Sequence, residues 1–196
     1  MVTQKKQETI KTSKREIRMA EMRLAQSEPD SMVVEGYAIV FDSPTTIWEY
    51  NGIEYKEVIA RGALTGTDMS DIPFKYNHSD DVMIMARTRN GTLVTQTDDK
   101  GLLIRATLAN TSSGRDLYEL IKRKDIDKMS FAFTVTSETY DEDTHTRTIN
   151  KIKKLYDVAA VDMPAYDDTS ISARSFFESA EKRKNTRDRL RLMTYL

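Results

Sequence analysis

The chain has 196 residues and a formal net charge of −1, and 31% of its residues are charged. This length is typical of a single domain with one hydrophobic core. The chain has no cysteine, which excludes disulfides, thiolate metal sites and a cysteine nucleophile. No apolar run approaches the roughly 18 residues that a membrane span needs, and the charged beginning of the chain is unlike a secretory signal.

Positive charge is concentrated at the two ends of the chain. Residues 1–27 contain seven Lys or Arg against three Glu, and residues 174–196 contain seven Lys or Arg against three acidic residues. The middle of the chain is therefore acidic. Two interpretations fit this pattern: the ends dock on an acidic surface, which includes the chain's own middle, or they are solvated and partly helical tails.

The pattern of residue types divides the chain into three parts. Residues 4–25 lack Gly and Pro and favour a helix, but they have few apolar residues to bury, so we predict a basic helical extension over 1–30. Residues 31–174 are rich in strand formers and are predicted to form the main domain. Residues 175–196 again favour a helix and are predicted to be a basic helical tail.

The main domain is predicted to contain many short strands and one internal helix. Asn51-Gly52 predicts a type I′ hairpin turn, and Ser112 or Ser113 can cap the helix that follows the first strands. Short strands with a few helices favour an α+β protein built on a barrel or sandwich. The predicted strands are residues 33–41, 55–60, 72–76, 82–88, 92–97, 102–107, 129–140, 145–153 and 155–162, with a further short strand at 169–173.

Two histidines, His78 and His145, are the candidates for a general base that works near neutral pH. His78 closes a stretch in which Phe74, Tyr76 and His78 share one face if the strand continues, so we expect it to be partly buried at a strand end. His145 follows an acidic turn and is expected to be solvated. A core or loop histidine without a chemical role is the alternative for His78.

Ser130 is the candidate nucleophile. In a strand, Met129, Phe131 and Phe133 would anchor one face in the core, whereas Ser130 and its small neighbours would line the other face. A serine hydroxyl is nucleophilic only when a base takes its proton, so this interpretation requires His78 nearby. The alternative is an ordinary strand serine.

Asp157 is the candidate for the acid that orients the base. The spacing predicts that Asp157 shares an apolar face with Leu155, and a carboxylate in such a place needs a partner to offset its desolvation. An imidazole N–H is one such partner, as in a catalytic triad. Pairing with Lys153 or Lys154 is the alternative.

Six segments between Val33 and Arg174 resemble the sequence motifs of one known family and occur in the same order. They are Glu35-Gly36-Tyr37-Ala38-Ile39-Val40-Phe41-Asp42, Glu57-Val58-Ile59-Ala60-Arg61-Gly62-Ala63-Leu64, Asn77-His78, Met129-Ser130-Phe131-Ala132-Phe133, Leu155-Tyr156-Asp157-Val158-Ala159-Ala160-Val161 and Pro164-Ala165-Tyr166. The chain thereby resembles the prohead proteases of tailed phages, which are similar in fold to the herpesvirus assemblin-type proteases. It departs from the family pattern at Ser79, at Ala159 and at Asp157, where the family has Glu.

The resemblance implies a fold, a reaction and partners. The expected fold is an assemblin-like, mainly antiparallel β-barrel with peripheral helices, and homodimerisation follows by analogy with the related fold. The expected activity is that of a serine endopeptidase with His78, Ser130 and Asp157 as its catalytic residues and without metal or cofactor. The expected substrates are the major capsid protein with its scaffolding segment and the protease itself, inside the procapsid in the host cytoplasm.

Other functions remain open at this point. In the related herpesvirus enzymes a second His takes the third role, and His145 is the residue that could be cast in it. A non-enzymatic capsid-assembly or scaffold-binding subunit on the same fold is the main alternative to an enzyme. Binding of nucleic acid by the basic ends is disfavoured, because no basic and aromatic surface accompanies them, and no membrane association is expected.

Overall fold

The computed structural model describes residues 15–25, 31–162 and 166–194. The fold is mixed α+β, with two β-sheets and two α-helices in this part of the chain. No helix within these residues is long and apolar enough to cross a membrane.

The larger sheet has seven strands, and its main path follows the order β1-β10-β11-β5-β4. One edge of the long strand β11 is shared, since β5 pairs in parallel with its beginning and β6 pairs in parallel with its end. The strands of this sheet are β1 (Glu16–Glu21), β4 (Thr45–Tyr50), β5 (Ile53–Ile59), β6 (Pro73–Tyr76), β7 (Ala86–Arg87), β10 (Lys128–Asp141) and β11 (Thr146–Val161).

The smaller sheet has four antiparallel strands in the order β2-β3-β9-β8. The chain passes from the larger sheet to the smaller one at Met22, which separates β1 from β2. The core lies where the two sheets and the helix α1 pack together. The strands of this sheet are β2 (Arg23–Leu24), β3 (Val33–Val40), β8 (Leu93–Thr97) and β9 (Gly101–Thr107), and the helices are α1 (Ser112–Arg123) and α2 (Tyr166–Thr194).

The predicted barrel is wrong, because neither sheet closes on itself within the described residues. The strand predicted over residues 82–88 would have joined its neighbours into one meander. It is reduced to Ala86–Arg87, which pairs with β6 in the larger sheet, whereas β8 and β9 form a hairpin in the smaller one. The expected likeness to assemblin-type proteases stays a prediction.

Local turn and cap chemistry agrees largely with the sequence. Asn51 and Gly52 both have positive φ angles, of 51° and 74°, as the predicted type I′ hairpin turn requires. The helix α1 is capped one residue before the predicted position, because the side chain of Thr111 accepts a hydrogen bond from the N–H of Gly114.

The predicted N-terminal helix is wrong for residues 16–24, which form β1 and β2. β1 pairs along its whole length with β10, so pairing within the sheet overrides the helix propensity of the segment. Residues 4–14 of that prediction lie outside the described part of the chain.

A buried ionic cluster fixes β1 to the larger sheet. Its members are Glu16, Arg18, Glu57, Glu138 and Arg147, and each is less than 8% exposed. Arg147 donates hydrogen bonds to Glu16 at 2.7 and 2.8 Å, to Glu57 at 2.8 Å and to Glu138 at 2.7 Å. Arg18 donates to both carboxylate oxygens of Glu57 at 2.6 Å and to Glu16 at 2.8 Å. Buried charges are tolerated when they are paired in this way.

The ionic cluster changes the protonation of its acids. Burial alone would raise the pKa of Glu16, but the hydrogen bonds and positive charges of Arg147 and Arg18 outweigh burial and lower that pKa. Burial dominates at Glu138 and raises its pKa, and one oxygen of this carboxyl, Oε1, is buried without a hydrogen-bond partner among the described residues.

The C-terminal helix predicted from residue 175 is confirmed, and it begins earlier, at Tyr166. The short strand predicted at 169–173 is wrong, because these residues are helical. Phe176 and Phe177 are buried in a small aromatic cluster with Tyr55, so this helix is packed against the larger sheet.

Candidate active site

Ser130 lies on β10 with its hydroxyl on the face turned away from the core. The neighbours Met129, Phe131 and Phe133 are at most 2% exposed and belong to the core, as predicted, and the two Phe rings stack with their centroids 5.2 Å apart. Burial of such side chains contributes about 1.5–3 kcal/mol each and holds this strand rigidly. Ser130 itself is 1% exposed, and Ala159 of β11 lies opposite it.

Asp157 lies on the same face of the sheet as Ser130. Its partner across the sheet is Ala132, two residues beyond Ser130, whereas Leu155 is paired with Phe133. Tyr156 is therefore an extra residue in β11, and this bulge turns Leu155 into the core and Asp157 to the opposite face. The prediction that Asp157 and Leu155 share a face is wrong for this reason.

His78 reaches Asp157 because the chain turns sharply after β6. Asn77 and His78 both have left-handed backbone conformations, with φ angles of 49° and 54°. The ring consequently leaves the line of Phe74, which is in the core, and its Nδ1 lies 2.5 Å from Oδ1 of Asp157. His78 is partly buried, as predicted, but it does not share the face of Phe74.

A clamp formed by Tyr76, Asn77 and Asp162 holds this turn. Asp162 accepts hydrogen bonds from the Tyr76 hydroxyl at 2.6 Å and from the Asn77 amide at 2.9 Å, and its own N–H donates to Asn77 at 3.2 Å. The hydrogen bond to Asp162 raises the pKa of Tyr76. The sequence indicated Asp162 only as an acid at a strand end, and its role in holding the turn was missed.

Arg15 is a second partner of Asp157 that the sequence did not reveal. Its Nη2 donates to Oδ2 of Asp157, and its guanidinium lies 5.4 Å from the centre of the Tyr156 ring. The residue falls in the segment predicted to be a helical extension, where nothing distinguishes it from the other basic side chains. Only a correct prediction of the strand β1, which begins at the next residue, would have indicated that Arg15 lies close to Asp157.

The two remaining reactive atoms of the site are buried and face no hydrogen-bond partner. They are Nε2 of His78 and Oγ of Ser130, and neither has a partner in the described part of the chain. If Nδ1 of His78 carries the proton and its N–H donates a hydrogen bond to Asp157, Nε2 presents a lone pair. Such an atom can accept a proton from a hydroxyl, which is what a serine nucleophile requires.

The alternatives left open by the sequence lie elsewhere in the structure. His145 lies next to the beginning of β11, at the opposite end from Asp157, where its Nδ1 is 3.4 Å from Glu181 and 3.2 Å from the Tyr140 hydroxyl. Its side chain is 20% exposed, so it is less solvated than predicted. Lys154 pairs with Asp68 at 3.0 Å and not with Asp157.

No curated protein sequence matches the chain. A solved structure, that of the bacteriophage T4 capsid assembly protease gp21, aligns with a TM-score of 0.48 at 11% identity over 78% of this chain and 100% of that one. The sequence profile described as caudovirus prohead serine protease matches residues 18–184. That span is most of the chain and includes β10 and β11 in full, so the chain belongs to the caudovirus prohead serine protease family.

Proposed function

We propose that the chain is a serine endopeptidase of capsid maturation in which Ser130 is the nucleophile, His78 the general base and Asp157 the acid that orients the base. The observation that carries this proposal is the contact of 2.5 Å between His78 and Asp157 on the face that bears Ser130. Family membership supplies the reaction class, and the contact between His78 and Asp157 supports their roles as base and orienting acid.

The mechanism begins with the tautomer of His78. Asp157 accepts a hydrogen bond from the Nδ1–H group, so Nε2 takes the proton of the Ser130 hydroxyl as Oγ attacks the scissile carbonyl. The same Nε2 then gives its proton to the leaving amine, and an acyl-enzyme remains on Oγ. Water deprotonated by His78 hydrolyses the acyl-enzyme and regenerates the serine. Asp157 stabilises the imidazolium that forms in both halves of the reaction.

The shorter acid is compatible with this role. Asp157 stands where the family has Glu, and the missing methylene would reduce its reach. The left-handed turn at Asn77 and His78 brings the ring to Asp157 instead, so the carboxylate does not have to extend. An Asp157→Asn variant should keep the fold and lose turnover by about 10⁴-fold, because the amide favours the wrong tautomer.

The proposed substrates are the major capsid protein, its scaffolding segment and the protease itself, inside the procapsid. Family membership supports this substrate class, and the T4 neighbour is described as a capsid assembly protease. Ser130 is 1% exposed, so a peptide carbonyl can reach Oγ only after the site opens. A non-enzymatic subunit on the same fold is the competing function, since a closed site would serve it equally well.

Co-expression with the capsid protein, followed by intact-mass analysis over time, tests the proposal. The wild type should shorten the capsid protein or itself, and Ser130→Ala should abolish every such product. Ser137→Ala, on the same strand β10, is the matched control and should cleave as the wild type does. Products that persist in Ser130→Ala would contradict the assignment of the nucleophile, and full-length chains in every sample would favour the non-enzymatic subunit.

A further inference from the structure

The two oxygens of Asp157 are bound by two different residues. Oδ1 faces Nδ1 of His78 at 2.5 Å, and Oδ2 accepts a hydrogen bond from the guanidinium of Arg15. The side chain of Asp157 is 3% exposed, whereas that of Arg15 is 45% exposed. The acid is therefore buried between an imidazole and a cation that closes the site from the solvent side.

This arrangement restricts the carboxylate in two ways. A hydrogen bond on each oxygen fixes the plane of the carboxylate, and hence the orientation of the His78 ring that it holds. The positive charge also offsets the cost of keeping an ionised acid out of water. Without Arg15, Oδ2 would lose its charged partner and the carboxylate could rotate.

The strand β1, which begins one residue after Arg15, is anchored independently of the site. The next residue, Glu16, and the following Arg18 belong to the buried ionic cluster, and β1 pairs with the strand of the nucleophile so that Met19 lies opposite Ser130. The guanidinium of Arg15 also packs against the ring of Tyr156. The pairing of β1 in the sheet therefore fixes the position of Arg15, which differs in this respect from a freely moving surface side chain.

We propose that Arg15 is a positioning residue of the catalytic site and that β1 is consequently an integral part of the active enzyme. This inference rests on the proposed function, because it gives Arg15 a role through Asp157 and His78. It also limits self-cleavage: removal of residues 1–27 would remove Arg15, so a cut beyond β1 would inactivate the enzyme instead of activating it.

The test compares Arg15→Ala with the wild type by the rate at which a fluorophosphonate reagent labels Ser130. This readout needs no knowledge of the natural substrate. We expect labelling to slow by about 100-fold, because a misplaced base loses its alignment with the nucleophile. Arg23→Ala is the matched control: Arg23 is an exposed arginine of β2 that pairs with Glu35, and its removal should leave the rate unchanged.

Chemical rescue separates positioning from mere support of the fold. Methylguanidine, added below concentrations that unfold the chain, should restore part of the rate of Arg15→Ala and none of Ser130→Ala. A purely structural role would lower the melting temperature, and methylguanidine would then not restore the rate.

Each outcome decides the inference. Labelling of folded Arg15→Ala at the wild-type rate overturns it and leaves the proposed function intact. A folded wild type that is not labelled at Ser130, alone or with the capsid protein, overturns the proposed function and this inference together. If Arg15→Ala does not fold, Arg15→Met replaces it, since its side chain keeps a similar length but cannot donate to Asp157, and a wild-type rate in that variant overturns the inference.

Discussion

Arg147→Met is the substitution that most directly tests the buried ionic cluster. Arg147 is 1% exposed and donates hydrogen bonds to Glu16, Glu57 and Glu138. Methionine fills a similar volume but leaves three carboxylates with one cation, Arg18. Breaking a buried pair by removing one partner costs about 3–5 kcal/mol, a large part of the roughly 5–15 kcal/mol by which domains are stable.

The loss should be measured by urea and thermal unfolding at neutral pH, followed by circular dichroism. For a chain of this size, the expected loss corresponds to a fall of about 6–20 °C in the melting temperature. Arg23→Met is the control, because the pair of Arg23 with Glu35 is exposed and such pairs contribute less than about 1 kcal/mol.

A second substitution shows whether unpaired negative charge is the cause. Glu138→Gln added to Arg147→Met removes one of the buried carboxylates and should recover part of the lost stability. Equal stability of Arg147→Met and Arg23→Met would refute the reasoning, since it would mean that the cluster contributes no more than a surface pair.

Three further predictions concern the site, the pH dependence and the packing. Asp162→Ala should slow labelling of Ser130 by about 10- to 100-fold without unfolding the chain, because the turn of His78 loses its clamp; Asp80→Ala is the exposed control, and equal rates would contradict the role of the clamp. Burial raises the pKa of Glu138, so the folded state binds its proton more tightly, and the stability of the wild type should fall as the pH rises above the ordinary pKa near 4.5. Urea unfolding should show a shallower fall for Glu138→Gln, and parallel curves for the two proteins would contradict this. Gly101→Ala places a Cβ 1.9 Å from the carbonyl oxygen of Ile39 and should lower the free energy of unfolding by about 1–3 kcal/mol, as measured by thermal unfolding. The Cβ of the control Gly62→Ala has open space around it, so equal losses of stability in the two variants would refute the steric argument.

The sequence alone was sufficient to predict the structure where a local pattern of residues determines it. The alternation around Ser130 placed Phe131 and Phe133 in the core, and the Asn51-Gly52 pair predicted its turn. Both depend on neighbouring residues alone, as strand alternation and turn geometry do. The same holds for the general position of His78 at the end of a strand.

The errors arose where distant residues decide the structure. Glu16 and Arg18 alternate on one face of β1, but their charge makes the segment look solvated, and only Arg147, 131 residues away from Glu16, reveals that they are buried. The bulge at Tyr156 and the left-handed turn at His78 likewise cannot be recognised in the alternation of apolar and polar residues. These two irregularities are the features that bring Asp157 and His78 together on the face of Ser130.

The pairing of β1 with β10 also has a consequence for the timing of synthesis. Arg15 and Asp157 are 142 residues apart in the chain. At a synthesis rate of about 5–20 residues per second, roughly 7–30 s pass between the two. For most of that interval, until β10 has been made, β1 has no partner strand, and without Asp157 nothing on the proposed acid can hold His78 in place. A nascent chain therefore cannot assemble the proposed site until Asp157 has been synthesised.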